Sequence, residues 1–423
     1  MKWIVVLLAL GVAVSVGIAG RSKRRIRVGL AIALGFLPYL SISINPISYE
    51  TYRGDARGLE FTLVDFVAVA LAISLAGKGA WRRPWPIAAA LYVLAAMLSI
   101  SAAPSVLFAL FAVWKILRVN RLLATVAQAG QVDDLAPEIC RGLALGLVYC
   151  AVDGLSQRYL GGMMQVKGPF SHQNGLGMAS NMVFPVCFAM LLSGQGGHLA
   201  KAAVAAAALS VVLTLSRGGM VLFAVAATLV FLGSLARKLT GRKLAVLGLG
   251  IAGAGAVLLK SWDTIVERFS SAPDASAEAR VMFEDAARRM LHDHPAGIGI
   301  NQFSRILDER YADLVGLPEV DRNGLVHNVY WLTAAEMGYL GIATFLLVMT
   351  RPLLLGVWGA FRERSLRGDL MMGLAVGIGV TLVQGKLEWS LRTSQLSFLL
   401  AVVGGLVFAL HASSPKRRAA SSR

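Results

Sequence analysis

Residues 325–341 read LVHNVYWLTAAEMGYLG. Apolar side chains dominate the stretch, yet His327 and Asn328 stand at its mouth and Glu336 lies inside it. An apolar helix with polar groups at one end is the pattern of a membrane span whose end meets water. At about 1.5 Å of rise per residue, Glu336 would lie ~13 Å deeper than His327. It is therefore expected to pair with a polar partner inside a bundle rather than serve the mouth.

Runs of this kind recur from end to end. The chain has 423 residues, 56% of them hydrophobic and 15% charged, against roughly 25% charged in a soluble domain. The fold class that follows is an all-α polytopic membrane protein with about 12–13 transmembrane helices. The expected spans are 3–19, 28–44, 61–77, 86–102, 105–117, 139–153, 175–193, 199–214, 219–235, 244–260, 328–350, 370–384 and 395–411. The first run carries only Lys2 before it and five basic residues after it, from Arg21 to Arg27. A signal peptide has the opposite order, so the run is read as a retained span. Cys140, Cys150 and Cys187 lie in or beside apolar runs and read as packing residues.

The net charge of +17 raises nucleic acid as a partner, and its distribution argues against it. One alternate set of connections is 20–27, 78–85, 115–141, 194–201, 236–243, 351–369 and the tail from Lys416. It holds 25 Lys+Arg against 5 Asp+Glu, while everything else holds 16 against 19. The positive-inside rule places the basic set in the cytoplasm, with the N-terminus outside and the C-terminus inside. Basicity is then a topology signal with some attraction to anionic membrane lipid.

Four regions follow: N-terminal transmembrane helices over 1–260, an outer helical loop over 261–326, C-terminal transmembrane helices over 327–411, and a basic tail over 412–423 whose composition predicts disorder. Outer loops as long as 261–326 usually serve function. Within it, Ser276 can cap a helix running to about Leu291 that stops at HDHPAG, where Pro295 and Gly297 break it. A short helix over Gln302–Ala312 follows. A smaller outer loop spans 154–174.

Polar chemistry collects at the outer ends of spans. Arg217, in TLSRGGM, precedes Gly218 and Gly219 at a helix start, where free N–H groups, the helix dipole and a guanidinium fork make an anion site. The alternative is an interfacial arginine that anchors the span. Arg280, Glu284 and Arg288 lie four apart and share a helix face. They form either a second phosphate clamp or a solvated face on which Glu284 pairs with both arginines. His172 and Asn174 open span seven; Lys386, Glu388 and Arg392 occupy the last outer loop. A helix N-terminus disfavours imidazolium, so His327 is expected to be neutral and able to accept a proton from a hydroxyl. Its alternative role is to complete an interfacial hydrogen-bond network. His292, Asp293 and His294 match some metal sites in type, but they sit at a helix stop with no further ligand motif, and no metal or cofactor is expected.

SRGG before a span, EARVMFEDAARRMLHDHPAGIGINQF in a large outer loop, HNVYWLTAAEMGYLG after it and GPFSHQNGLGM at span seven together resemble the bacterial O-antigen ligase and O-antigen polymerase superfamily. The resemblance covers about residues 165–345; the first 150 match only in hydropathy. It implies a metal-independent, inverting glycosyltransferase of the bacterial inner membrane, with an active site facing the periplasm. The implied donor is a glycan on undecaprenyl diphosphate. By position, Arg217 and Arg280 would hold the diphosphate, His327 would activate the acceptor hydroxyl, and Arg288, Asn328, His172 and Asn174 would bind diphosphate or glycan. A ligase would use the lipid A–core oligosaccharide as acceptor, and a polymerase a second lipid-linked repeat unit. One large loop late in the chain, just before His327, favours the ligase. A transporter of lipid-linked glycan would show repeats and midplane charges, whereas here only residues such as Asp65, Asp153 and Glu336 lie deep. The family is usually drawn with both termini inside. Thirteen spans with the N-terminus outside depart from that, through an extra first span or a split one among residues 86–119.

Overall fold

The computed structural model describes residues 1–84, 86–270 and 274–412. The chain is an all-α polytopic membrane protein. Its first half comprises α1 (Lys2–Ser22), α2 (Arg24–Phe36), α3 (Leu63–Leu75), α4 (Pro86–Ser99), α5 (Val106–Val132), α6 (Ala136–Tyr159) and α7 (Gln173–Ser193). The second comprises α8 (Gly197–Thr214), α9 (Arg217–Leu235), α10 (Gly241–Ser270), α11 (Asp274–Asp293), α12 (Phe303–Ile306), α13 (Val329–Arg362), α14 (Leu366–Gln384) and α15 (Ser394–Ala412). A two-residue ribbon, Ser43–Ile44 against Phe61–Thr62, precedes α3. Each expected span overlaps a helix, although the second, expected over 28–44, is helical only to Phe36, followed by a single turn over Leu37–Tyr39, and its end forms part of the ribbon. Among the described residues eight helices are long and apolar enough to cross a membrane.

Some boundaries differ from expectation. The fifth span was expected to end by residue 117, because Lys115, Arg118 and Arg121 interrupt its apolar run. Instead α5 continues for 27 residues. The helix tolerates these charges because Lys115 meets Asp55 at 2.9 Å, and Arg118 meets Asp65 at 2.7 Å and Glu60 at 2.8 Å. These partners lie around the start of α3, so Lys115 and Arg118 leave the basic inner set, whose imbalance persists without them. Helix α10 runs on to Ser270, past the expected limit at 260. Helix α11 starts at Asp274, so Ser276 falls in its first turn rather than at its cap. The helix expected over 302–312 is a short α-turn, α12, continued by a π-turn over Leu307–Tyr311. Residues 413–423, nearly all of the basic tail, lie outside the described residues.

Helix α7 is the axis of the bundle: 89% of its apolar window is buried. It packs against α14, α8, α9 and α6. Close approach of α7 and α14 requires small residues, as expected where dispersion rather than hydrophobicity drives helix association. A Cβ at Gly377 would collide with the Met182 carbonyl.

Helix α13 is broken at Gly338, whose φ of 66° is left-handed. The break frees backbone carbonyls at membrane depth, which must find donors. The loop after α11 supplies them: Ile298 N donates to Ala335 O and Gly299 N to Glu336 O, both at 3.0 Å, while Tyr339 N donates to Pro295 O at 3.1 Å. A Cβ at position 338 would collide with the Pro295 carbonyl. The helix stop HDHPAGIGI is therefore also the plug of a second helix's kink.

Beside the plug lies a buried knot of charge. Arg392, after α14, reaches Glu336 at 2.7 Å and Asp55 at 2.8 Å, and Lys115 Nζ donates to the Arg392 carbonyl at 2.8 Å. Glu336 also accepts from Phe303 N at 3.1 Å. Burial pushes the Asp55 carboxyl up, but Arg392 and Lys115 overcome it and hold the group below the ordinary carboxylate value. Removing one member of such a set strands the others uncompensated. Arg392→Ala is expected to destabilise the fold by about 3–5 kcal/mol, read as a lowered thermal midpoint in detergent. An unchanged midpoint contradicts the assignment.

Candidate active site

The starts of α7, α9 and α13 and the end of α14 lie at one end of the bundle, roofed by α11, and enclose a cavity of about 580 Å³. On the α9 side, the turn from α8 passes through Leu215 at φ 52°, a left-handed conformation uncommon outside glycine. Ser216 caps α9, its Oγ accepting from Gly219 N at 3.3 Å. Arg217 is the first residue of the helix, and Arg217, Gly218 and Gly219 line the cavity. Among the described residues no carboxylate pairs with Arg217. A guanidinium and a helix N-terminus thus present positive charge that is not ion-paired among the described residues, in a cavity that Glu388 and Asp321 also line.

Arg280 enters from the roof, its side chain about half exposed (46%) and its Nη2 3.8 Å from Glu388 Oε1. It does not pair with Glu284, which instead meets Arg288 at 3.3 Å and accepts from Asn328 Nδ2 at 3.0 Å. Arg288 stands over the Trp331 ring, 5.3 Å from its centre. Asn328 caps α13, its Oδ1 accepting from Tyr330 N and Trp331 N. Neither Arg288 nor Asn328 lines the cavity. His327 does, packed edge-on against Phe283, with Nδ1 3.5 Å from Glu388 Oε2. At that separation the contact is electrostatic rather than a formed hydrogen bond.

From α7, His172 caps the helix, its Nδ1 accepting from Asn174 N at 3.2 Å. That bond leaves the proton of the neutral ring on Nε2. Asn174 Nδ2 makes a short bond to Glu388 Oε1. Under the cavity, Asn181 Nδ2 donates to Gln384 Oε1 at 3.2 Å and to Gly219 O at 3.1 Å, tying α7, α9 and α14 into a polar floor. The structure thus brings Arg217, Arg280, His327, His172 and Asn174 to one cavity and adds Glu388, whose side chain is 6% exposed. Sequence alone places Glu388 in the last outer loop without a partner. Its links cross 214 residues to Asn174 and 61 to His327, beyond any local pattern.

Glu336 is buried with Arg392 and does not line the cavity. His292 and Asp293 contact each other at 3.2 Å, and Tyr311 donates to Asp293 at 2.9 Å. Burial and the Asp293 carboxylate push the Tyr311 phenol up to about 12. Among the described residues no three His, Cys, Asp or Glu gather as metal ligands.

The fold is that of a multi-pass membrane protein with a polar cavity at the ends of its helices. Residues 202–346 match the family model described as O-antigen ligase. The match includes Arg217, Arg280 and His327 and stops short of His172, Asn174 and Glu388. No curated protein matches the chain.

Desolvation lowers the His172 pKa below the ordinary value of 6.5; Glu388 opposes the shift, while His327 and Arg280 reinforce it. On acidification through 6.5 the unfolded chain takes up this proton before the folded chain does, so the contribution of His172 to stability falls below that pH. An NMR titration of the His172 ring is expected to give a value under 6.5; one at or above it contradicts the burial of this edge of the site.

Proposed function

We propose that the protein is an O-antigen ligase. It transfers a glycan from undecaprenyl diphosphate to the lipid A–core oligosaccharide at the periplasmic face of the bacterial inner membrane. The observation that carries this reading is the meeting of Arg217, Arg280 and His327 around one cavity at one end of the bundle. Arg217 and Arg280 hold the diphosphate, with Asn174 and the Nε2–H of His172 as neutral donors to diphosphate or glycan. The acceptor oxygen attacks the anomeric carbon opposite the diphosphate. The bond from that carbon to phosphate breaks, its electron pair stays on the leaving oxygen, and the hydroxyl proton passes to His327. Attack from the far side inverts the anomeric centre. Each well-placed donor to the developing charge is worth about 3–4 kcal/mol. The donor's own sugar–diphosphate bond drives the transfer, so no cofactor is required.

Sidedness rests on charge. Arg24, Arg25, Arg237, Lys238, Arg242 and Lys243 cluster at the ends of α2, α9 and α10 opposite the cavity. The positive-inside rule puts that end in the cytoplasm and the cavity outside. The test is reconstitution with undecaprenyl-diphosphate-linked glycan, offering lipid A–core and a second lipid-linked unit as rival acceptors. Transfer to lipid A–core is expected. Transfer only to the lipid-linked unit makes the protein a polymerase. His327→Ala and Arg217→Ala are each expected to lower the rate by at least about 100-fold while the protein still inserts and folds. Full activity in either variant removes that residue from the mechanism.

A further inference from the structure

Three cavity residues converge on one carboxylate that neither the family match nor the reaction scheme above assigns. Glu388 lies between α14 and α15 with its side chain 6% exposed. Asn174 Nδ2 donates to its Oε1, Arg280 Nη2 stands 3.8 Å from the same oxygen, and His327 Nδ1 stands 3.5 Å from Oε2. A carboxylate this buried needs compensation. The two cavity arginines differ in this respect: Arg280 stands 3.8 Å from Glu388, while among the described residues Arg217 forms no ion pair, although Glu388 and Asp321 line the same cavity.

We propose that Glu388 is a positioning residue that exchanges Arg280 for the donor's diphosphate and thereby readies His327. This rests on the glycosyl-transfer reading above. Before the donor arrives, Glu388 holds Arg280 loosely, since 3.8 Å exceeds hydrogen-bond distance. The Arg280 side chain is about half exposed, so it is free to swing. A diphosphate carries more negative charge than one carboxylate and offers the guanidinium a bidentate fork, so it draws Arg280 away. The Glu388 charge is then left to the two neighbouring imidazoles, with His327 Nδ1 3.5 Å away. A carboxylate at Nδ1 keeps the ring proton there and leaves the Nε2 lone pair to accept from the acceptor hydroxyl. As the proton arrives, the same carboxylate stabilises the imidazolium. Asn174, still bound to Oε1, keeps the carboxylate in place. Donor binding thus switches on the base, and an acceptor hydroxyl or water meeting an empty site finds it unready.

Charge removal separates this role from a merely structural one. In Glu388→Gln, Arg280 loses its internal counter-ion, so the donor KM is expected to stay equal or fall. Meanwhile kcat is expected to drop by about 100-fold, within the range that general-base help supplies. Glu388→Asp keeps the charge and is expected to stay within about tenfold of the parent kcat. Glu388→Gln added to His327→Ala is expected to cost little more than His327→Ala alone, as for residues acting as a unit. Binding of undecaprenyl diphosphate itself, measured without acceptor, is expected to weaken in Arg217→Ala and not in Glu388→Gln. A wild-type kcat in Glu388→Gln, or a raised KM with kcat unchanged, overturns the proposal. Active Arg217→Ala and His327→Ala proteins would defeat the glycosyl-transfer reading itself; inactive ones beside a fully active Glu388→Gln defeat only the role of Glu388. If Glu388→Gln does not fold, nitrogen-15 NMR of the parent protein saturated with undecaprenyl diphosphate decides, with the His327 signals assigned by their loss in His327→Ala. A proton on Nδ1 is expected, and one on Nε2 overturns the proposal.

Discussion

The architecture depends on the break in α13 at Gly338. A helix interrupted within a membrane exposes carbonyls that lipid cannot satisfy. Here the loop after α11 bends back in at Ile298 and Gly299 to donate to Ala335 and Glu336, and Pro295 accepts from beyond the break. The loop and the span are therefore one folding unit. Because α11 ends directly before this plug, its register over the cavity is tied to that of α13. The roof carrying Arg280 and the mouth carrying His327 are held by the same few backbone bonds.

Charge is handled in two ways at this end of the molecule. In the buried knot, Arg392, Lys115, Asp55 and Glu336 neutralise one another at hydrogen-bond distances, and burial makes each dependent on the rest. In the cavity, compensation is deliberately incomplete. Arg217 begins a helix and forms no ion pair among the described residues, and Arg280 meets Glu388 only at 3.8 Å. The first arrangement fixes loops in place. The second leaves cavity groups loosely paired, which the proposed transfer reading requires.

Much of this was legible in the chain. Apolar runs located the helices of the bundle, though not all of their bounds, because lipid leaves few alternatives to a helix of suitable length. They failed at α5, where Lys115 and Arg118 look like a loop until their partners at Asp55, Asp65 and Glu60 are known. Polar residues at span ends pointed to Arg217, Arg280, His327, His172 and Asn174, since such groups are costly there without a purpose. Helical spacing was less informative on α11: Arg280 and Arg288 share a face in principle, but one reaches Glu388 and the other stacks on Trp331. Glu388 could not be chosen from Lys386 and Arg392 beside it, because only tertiary packing brings it to His327. The plug at Gly338 was equally hidden, as a glycine inside an apolar helix usually signals close packing.

The central claim is that a lipid-linked diphosphate sits between Arg217 and Arg280 with its sugar turned toward His327. The most direct measurement is a cryo-electron microscopy structure in lipid nanodiscs with undecaprenyl-diphosphate-linked glycan bound to His327→Ala. The account predicts phosphate density within hydrogen-bond distance of both guanidinium groups, with the anomeric carbon facing the space vacated by the imidazole. Phosphate density at the opposite end of the bundle, or away from Arg217, would contradict it.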